Sequence, residues 1–217
     1  FDADPKSAFG GVVALPGVVT LELAQRIAEN PKSDVLLAAG YEPEALELLA
    51  AKRKSTRVIE LAPPGPRGLD LRSVDGGYLV QRPDLVEGRE GWRVVTRRAP
   101  TDAEWRDLEV AYLVCARTSS NAIVLAKDGV AVGVGAGQQS RVDAVEIAAK
   151  KAAGRAQGGA CASDAFFPFR DGLDAAAAAG VTAVAQPGGS IRDEEIVAAA
   201  DELGLAMVMT GHRHFKH

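Results

Sequence analysis

The sequence is poor in cysteine and in long apolar runs, and each scarcity excludes a class of protein. Its two cysteines, Cys115 and Cys161, do not form a C-x-x-C pair, so they build neither a disulfide framework nor a zinc knuckle. We expect both thiols to be reduced and packed. No window approaches about 18 uninterrupted apolar residues, and the opening FDADPKSAFGG lacks the pattern of a signal peptide. We therefore expect a cytoplasmic protein with no membrane partner.

Aromatic residues and net charge are also scarce. Aromatic residues make up 5% of the 217 residues, whereas glycine occurs 23 times, which predicts a core of small side chains and many tight turns. A formal net charge of −4 gives no general attraction to polyanions, so no nucleic-acid partner is expected. An anionic ligand would have to bind at a local site.

The first half of the chain alternates short β-branched runs with stretches of helical periodicity. The predicted strands and helices are 11–15, 21–29, 35–39, 43–52 and 57–61, in the order β-α-β-α-β. This order predicts a parallel sheet with helices packed on its faces. The proline-rich segment 62–68 then predicts a surface loop. Two further strands, LRSVDGGYLVQ and WRVVT, are expected to end the first unit.

The second half is expected to begin near Pro100. Thr101 and Glu104 form a capping-box pattern that predicts a helix to about Ala116. Asp128-Gly129 predicts a two-residue hairpin turn. Further helices are predicted at 140–153, 172–179 and 193–203, with strands at 181–185 and 206–209. The sequence thus predicts an α/β protein of two tandem units, residues 1–100 and 101–217.

Two glycine-rich segments are candidates for ligand contact. In 4–11, Asp4 either caps a helix or Asx turn, or binds a ligand that approaches the backbone at Gly10. In 133–141, backbone amides and Arg141 either form an anion or carbonyl pocket, or the segment simply turns from strand to helix. Gln138 stands where a dinucleotide-binding fingerprint needs glycine, which argues against that cofactor.

Two more candidate segments lie further along the chain. Between Asp164 and Asp171, three phenylalanines and a proline fit either core packing or a wall for a flat heterocycle. The tail 211–217 contains all three histidines, but no adjacent acidic residue or cysteine completes a metal site there. A frayed basic tail and a phosphate-binding Arg213 remain the two alternatives for this segment.

Several sequence blocks resemble the C-terminal portion of aminoimidazole carboxamide ribonucleotide (AICAR) transformylase, half of a bifunctional family that also carries IMP cyclohydrolase. They include SNAIVLAKDGVAVGVGAGQQSR and SDAFFPFRD. The resemblance implies two cytidine-deaminase-like α/β/α units, residues 1–100 being the C-terminal part of the first transformylase subdomain and residues 101–217 the second. No zinc is implied, because the H-x-E and P-C-x-x-C patterns are absent. It also implies a homodimer with shared active sites, and transfer of a formyl group from the cosubstrate 10-formyltetrahydrofolate to the 5-amino group of AICAR in purine biosynthesis.

The resemblance also implies roles for individual residues. Asn121 matches an asparagine near the reacting amine and carboxamide, and Asp4 and Arg141 match residues of the nucleotide pocket. Positions that can hold a potassium ion in the family match Thr118, Ser120 and Asp164. The other residues matched to substrate binding are Phe166, Pro168, Phe169, Asp171, Arg213 and His217.

Asn121 can hold and polarise a substrate but cannot accept a proton. The resemblance places the base in an upstream K-H-x-N-P segment, which does not occur in this sequence. We therefore expect a fragment that lacks both this base and the cyclohydrolase domain, and that is inactive in isolation. The alternatives are a stand-alone relative that has lost the base, and a catalytically silent nucleotide-binding or dimerisation module. The ending GHRHF departs from the plainer arginine-containing end of the family.

Overall fold

The computed structural model describes residues 1, 3–65 and 68–217, which form two compact units, Phe1–Pro83 and Asp84–His217. The boundary lies upstream of the one expected near Pro100, because the residues before Pro100 pack within the second unit. Trp92 lies against Tyr112, and Arg98 pairs with Glu104. The assignment of the two halves to transformylase subdomains stays a prediction. Within the described part of the chain, no helix is long and apolar enough to cross a bilayer.

The first unit contains a three-stranded parallel sheet in the order β1-β2-β3. Its first elements are α1 (Pro5–Ala8), β1 (Val12–Val19), α2 (Leu21–Glu29), β2 (Val35–Tyr41), α3 (Pro43–Lys52) and β3 (Arg57–Glu60). The predicted β-α-β-α-β order is confirmed. Ala24 of α2 and Leu49 of α3 share one buried cluster with Leu36 of β2. Both helices cover the same face, as right-handed crossovers between sequential strands require.

Two details of the first unit differ from the sequence prediction or extend it. Strand β1 continues beyond the predicted 11–15, because pairing with β2 resumes at Val18 after a register shift. Past the predicted loop at 62–68, of which residues 66 and 67 lie outside the described residues, β4 (Asp70–Val74) pairs antiparallel with β5 (Gly77–Gln81). This hairpin forms a separate two-stranded sheet.

The second unit contains a six-stranded mixed sheet in the order β6-β11-β10-β9-β7-β8. Its elements are β6 (Arg93–Val94), α4 (Asp102–Cys115), β7 (Ile123–Lys127), β8 (Val130–Gly135), α5 (Arg141–Ala152), β9 (Ala160–Ser163), α6 (Arg170–Ala178), β10 (Ala183–Gln186), α7 (Asp193–Glu202) and β11 (Ala206–Met209). The predicted helices, hairpin and last two strands are confirmed to within a few residues. The expectation that WRVVT ends the first unit was wrong, because β6 pairs with β11.

Helices cover both faces of this second sheet. On one face, α4 packs Leu108 and Tyr112 against a layer of strand alanines, namely Ala126, Ala160, Ala162, Ala183, Ala185 and Ala206. On the other face, residues of α5, α6 and α7 form a core with Phe167 and Val184. Side chains alternate along each strand, so Val184 and its neighbours point to opposite faces. The small alanines let α4 lie close to the sheet.

Helix α5 lies close to β8 because two glycines of that strand have no side chain. A Cβ atom on Gly135 would overlap the carbonyl oxygen of Ala144, and one on Gly133 would overlap that of Ala148. Two glycines of the segment 133–141 therefore serve helix–strand packing. This packing also fixes the first residue of α5, Arg141, relative to the sheet.

Candidate functional site

Five strand ends of the second unit meet at one edge of its sheet. The parallel strands β9, β10 and β11 end there with Ser163, Gln186 and Met209. Strand β7 runs antiparallel to β9 and begins there, since Ile123 pairs with Ser163. Strand β8 ends there as well, because Gly135 also pairs with Ile123. Ligands of open α/β sheets usually bind at such a carboxyl edge.

Most of the predicted site residues lie in the chain segments next to this edge. They are Thr118, Ser120, Asn121, Arg141, Asp164, Phe166, Pro168, Phe169, Asp171, Arg213 and His217. The topology brings these segments together although they are widely spaced in sequence. Asp4 and Gly10 lie in the first unit.

Asn121 is held by the turn that follows β8. Its Nδ2 group donates hydrogen bonds to the carbonyl oxygens of Gln138, at 2.9 Å, and Gln139, at 3.1 Å. The main chains of Asn121 and Gln138 also exchange two hydrogen bonds of 3.2 Å. Both amide hydrogens are therefore committed, and Oδ1 is the side-chain atom that can accept a hydrogen bond from an amino group. The glycine-rich turn thus positions Asn121.

Arg141 and Asp164 form a buried ion pair. Arg141 Nη2 lies 3.0 Å from Asp164 Oδ1, and Arg141 Nε donates to Ser163 Oγ at 3.3 Å. Asp164 Oδ2 is buried and has no hydrogen-bond partner among the described residues. Asp164 already balances the charge of the Arg141 guanidinium, so Arg141 does not need an anionic ligand to neutralise it. The sequence suggested both residues as candidates but did not show that they pair.

The three rings of the segment 163–171 have different environments. Phe167 is completely buried and belongs to the core. Phe166 is half-buried beneath the Arg213 guanidinium, whose carbon lies 4.7 Å from the ring centre. Phe169 is exposed, and the Arg192 guanidinium lies 4.8 Å from its ring centre. Core packing therefore explains one ring, while two rings at the edge contact cations.

Arg192 was missed by the sequence reasoning, although its position offered a signal. It follows the Gly188-Gly189-Ser190 turn after β10, and both glycines have positive φ values. Glycine permits this left-handed backbone, so the turn can fold back towards the neighbouring loop. Of the remaining residues in the aromatic segment, Pro168 is half-buried, and exposed Asp171 accepts a hydrogen bond from its neighbour's backbone N–H at 2.7 Å.

The C-terminal tail is tied to the edge, so the frayed-tail alternative was wrong. The backbone N–H of His214 donates to Asp164 O at 3.0 Å, and that of Ser120 donates to Lys216 O at 2.8 Å. Arg213 Nη2 lies 3.5 Å from Gly189 O. His214 is buried between exposed neighbours and was not singled out by the sequence reasoning. His217 is exposed, and its ring centre lies 6.1 Å from that of Phe215.

In the first unit, Asp4 acts as a helix cap. Its Oδ1 accepts a hydrogen bond from the Ser7 N–H at 3.1 Å, and its Oδ2 accepts one from Ser7 Oγ at 2.8 Å. Gly10 has a φ of +72°, and its N–H donates to Lys32 O at 2.8 Å. The helix-cap alternative is thus confirmed for Asp4. Ligand binding by Asp4 and Gly10 stays a prediction.

The two cysteines are packed thiols, as predicted. Both are free and buried, and Cys115 Sγ lies 3.4 Å from Ala122 O. Burial raises the pKa of the Cys161 thiol to about 12 and that of Cys115 well above its usual value. Across residues 1, 3–65 and 68–217, no group of three His, Cys, Asp or Glu side chains is placed to hold a metal ion.

The fold and the loop residues define an α/β protein with polar and aromatic side chains gathered at the carboxyl edge of a sheet. The family model of the AICARFT/IMPCHase bienzyme matches residues 1–151. The chain therefore belongs to this family of purine-biosynthesis enzymes, which confirms the resemblance found in the sequence. The matched range contains Asp4, Gly10, Asn121 and Arg141, and the segments that carry Phe166 and Arg213 follow it.

Proposed function

We propose that this chain forms part of a site that transfers a formyl group from 10-formyltetrahydrofolate to the 5-amino group of AICAR. The observation that carries the proposal is the gathering of Asn121, Arg213, Phe166 and Phe169 at one sheet edge in a member of this family. A guanidinium group can bind phosphate oxygens in pairs. The two phenyl rings offer flat surfaces to a heterocycle.

The proposed reaction needs orientation more than a strong nucleophile. The amine of AICAR is a weak nucleophile, because its lone pair is delocalised into the ring and carboxamide. Its nitrogen forms a bond to the formyl carbon, the bond from that carbon to the folate nitrogen breaks, and a proton moves from the amine to the folate nitrogen. Asn121 Oδ1 would accept a hydrogen bond from the amine and hold it in line. A Lys-His pair upstream of the aspartate segment would act as the base.

We also propose a potassium ion bound near Thr118, Ser120 and Asp164. Hard cations prefer oxygen ligands, and these side chains supply two hydroxyls and a carboxylate. The buried, unpartnered Oδ2 of Asp164 supports this assignment, since a cation would satisfy it. The ion would bind Asp164 Oδ2, the oxygen that Arg141 leaves without a partner, and would order the loops. Unfolding temperatures measured in potassium and sodium chloride at equal ionic strength test it, and equal values would count against it.

A homodimer with shared active sites is a further part of the proposal. The β4–β5 hairpin exposes apolar side chains on one of its faces, namely Leu71, Tyr78 and Val80, each more than half exposed. Exposed apolar patches of this kind mark protein contacts. We propose that a second copy of this chain binds this face of the hairpin. We also propose that the enzyme is cytoplasmic. Light scattering of the wild type and of Val80→Lys tests the dimer, and an unchanged mass would argue against this surface.

The activity is tested by a formyl-transfer assay on the full-length natural protein. The wild type should convert AICAR and 10-formyltetrahydrofolate to the formylated nucleotide. Asn121→Ala should lower kcat by about tenfold to a hundredfold, because the amine loses its orienting acceptor. Gln139→Ala is the matched control, since it keeps the backbone carbonyl that Asn121 contacts.

The possible results separate the candidate functions. Turnover by the wild type that depends on Asn121 supports the proposal. AICAR binding in a calorimeter without any turnover would instead favour the silent nucleotide-binding module. Absence of both binding and turnover would disprove the proposed function.

A further inference from the structure

A chain of three polar side chains, two of them buried, lies beside the candidate site in the second unit. The hydroxyl of Tyr112 lies 2.5 Å from His214 Nε2, and both carboxylate oxygens of Asp84 lie 2.9 Å from His214 Nδ1. Tyr112 and His214 are only 4% and 3% exposed. Asp84 is partly exposed, with Arg117 Nη1 3.5 Å from it. Both ring nitrogens of His214 therefore have a partner.

The order of donors and acceptors in this chain follows from its chemistry. A carboxylate can only accept hydrogen bonds, so His214 Nδ1 carries a hydrogen and donates to Asp84. Burial raises the pKa of Tyr112, so its hydroxyl keeps its proton and shares a hydrogen bond with Nε2. Trp92 packs edge-on against the Tyr112 ring, with the ring centres 4.7 Å apart. The imidazole is thus held in position from both sides.

His214 belongs to a segment whose other residues are exposed. Its backbone N–H donates to Asp164 O at 3.0 Å, and two residues later Lys216 Nζ donates to Arg117 O at 2.9 Å. An imidazole buried in this way anchors the tail to α4 and to the loop after β9. The adjacent residue, Arg213, lies with its guanidinium over Phe166. The anchoring residue, His214, is therefore the direct sequence neighbour of Arg213, the proposed phosphate-binding residue.

We propose that His214 is a positioning residue, which with Tyr112 and Asp84 anchors the tail so that the Arg213 guanidinium stays over Phe166, ready to bind the nucleotide. This inference rests on the proposed function and adds the residue that orients Arg213. In this proposal the three residues act through Arg213 and make no contact with the reacting groups.

The first test measures kinetics in the full-length natural protein. Both His214→Ala and Tyr112→Phe should raise KM for AICAR by about tenfold, with KM for the folate unchanged, because only the nucleotide contact is displaced. His212→Ala, an exposed neighbour in the same segment, is the control and should leave both values unchanged. If His214→Ala does not fold, Tyr112→Phe, which removes a single hydroxyl, decides the matter.

A double-mutant cycle separates positioning from general destabilisation. If His214 acts through Arg213, His214→Ala should change KM for AICAR by less than about twofold when Arg213 is already alanine. A merely structural role would give the same factor in both backgrounds, and that result would overturn the inference. An unchanged KM in both His214→Ala and Tyr112→Phe would also overturn it.

A second readout does not depend on formyl transfer. Trypsin cleavage after Arg213, followed by the mass of the shortened chain, should be about tenfold faster in His214→Ala than in the wild type, since the anchor suppresses local opening. Equal cleavage rates would overturn the anchor itself. A different result is faster cleavage of His214→Ala together with a wild type that neither binds nor converts AICAR. That result would support the anchor but reject the proposed function, and it would thereby overturn the role of His214 in nucleotide binding.

Discussion

Arg141 and Asp164 pair at 3.0 Å with side chains that are 13% and 0% exposed, which makes this the most buried ion pair of the candidate site. The pair joins the start of α5 to the loop after β9. Because Asp164 also receives the His214 N–H on its backbone carbonyl, three separate chain segments meet at this one residue. The stability of the edge therefore depends on a charge that is kept away from water.

Removing one member of this pair should destabilise the second unit strongly. Asp164→Ala leaves the Arg141 guanidinium buried without its counter-ion, which costs about 3–5 kcal/mol in free energy of unfolding. Urea unfolding followed by circular dichroism measures this. Asp174→Ala, which removes an exposed partner of Arg170, is the control and should change little. Equal effects of the two substitutions would contradict the assignment.

Glu104 should make the stability of the second unit depend on pH. Burial alone would raise its pKa, but hydrogen bonds from Arg98 and Thr101 dominate and lower the pKa from 4.5 to about 2. Because the pKa of Glu104 is lower in the folded state, the ionised side chain stabilises the fold above about pH 4.5. This contribution is lost as the pH falls towards 2.

Glu104→Gln should therefore reduce the free energy of unfolding by about 1–2 kcal/mol at pH 7. The difference from the wild type should shrink between pH 4.5 and pH 2, the window that the pKa values define. Thermal unfolding across this range measures it. Glu109→Gln, on the same helix but with a partly exposed ion pair, is the control. A difference that stays constant with pH would argue against the lowered pKa.

Gly135→Ala should destabilise the second unit by crowding α5 against β8. A methyl group there overlaps the Ala144 carbonyl oxygen, and such overpacking costs about 1–3 kcal/mol. Gly88→Ala is the matched control, because nothing lies within 4 Å of the position that its new methyl group would take. The urea unfolding midpoints of the two variants are compared. Equal midpoints would show that α5 can move away from β8 without cost.

Both cysteines should be unreactive in the folded protein. The thiolate is the reactive form, and burial raises the pKa of Cys161 to about 12 and that of Cys115 well above its usual value. Treatment with N-ethylmaleimide at pH 8 should leave the native chain unmodified and should label both thiols in urea. Mass spectrometry counts the labels. Rapid labelling of the native chain would mean that α4 or β9 opens readily.

Local sequence signals predicted the helices and turns well. Thr101 and Glu104 form the capping box that starts α4, and Asp128 and Gly129 have the positive φ values that the hairpin turn requires. These features depend on residues that are neighbours in sequence. Strand β9 was missed because Ala160–Ser163 contains only small residues, with no β-branched or aromatic side chain to mark it.

The sequence predicted which residues belong to the candidate site, but it did not predict the contacts between them. The family resemblance supplied Asn121, Arg141 and Arg213, yet the carbonyl contacts of Asn121 and the partner of Arg141 emerged only from the fold. His214 meets Tyr112 and Asp84 across sequence separations of 102 and 130 residues. No local pattern encodes such contacts, because they depend on how the strands are ordered in the sheet.

The hairpin of β7 and β8 separates its turn from the candidate site by the length of a strand. Asp128, whose side chain is 81% exposed, lies at the end of the hairpin opposite Asn121. Five residues of strand span about 17 Å. A fluorescent dye or an affinity tag attached at Asp128 would therefore report on this unit, or immobilise it, while leaving the loops at the far edge open to small molecules.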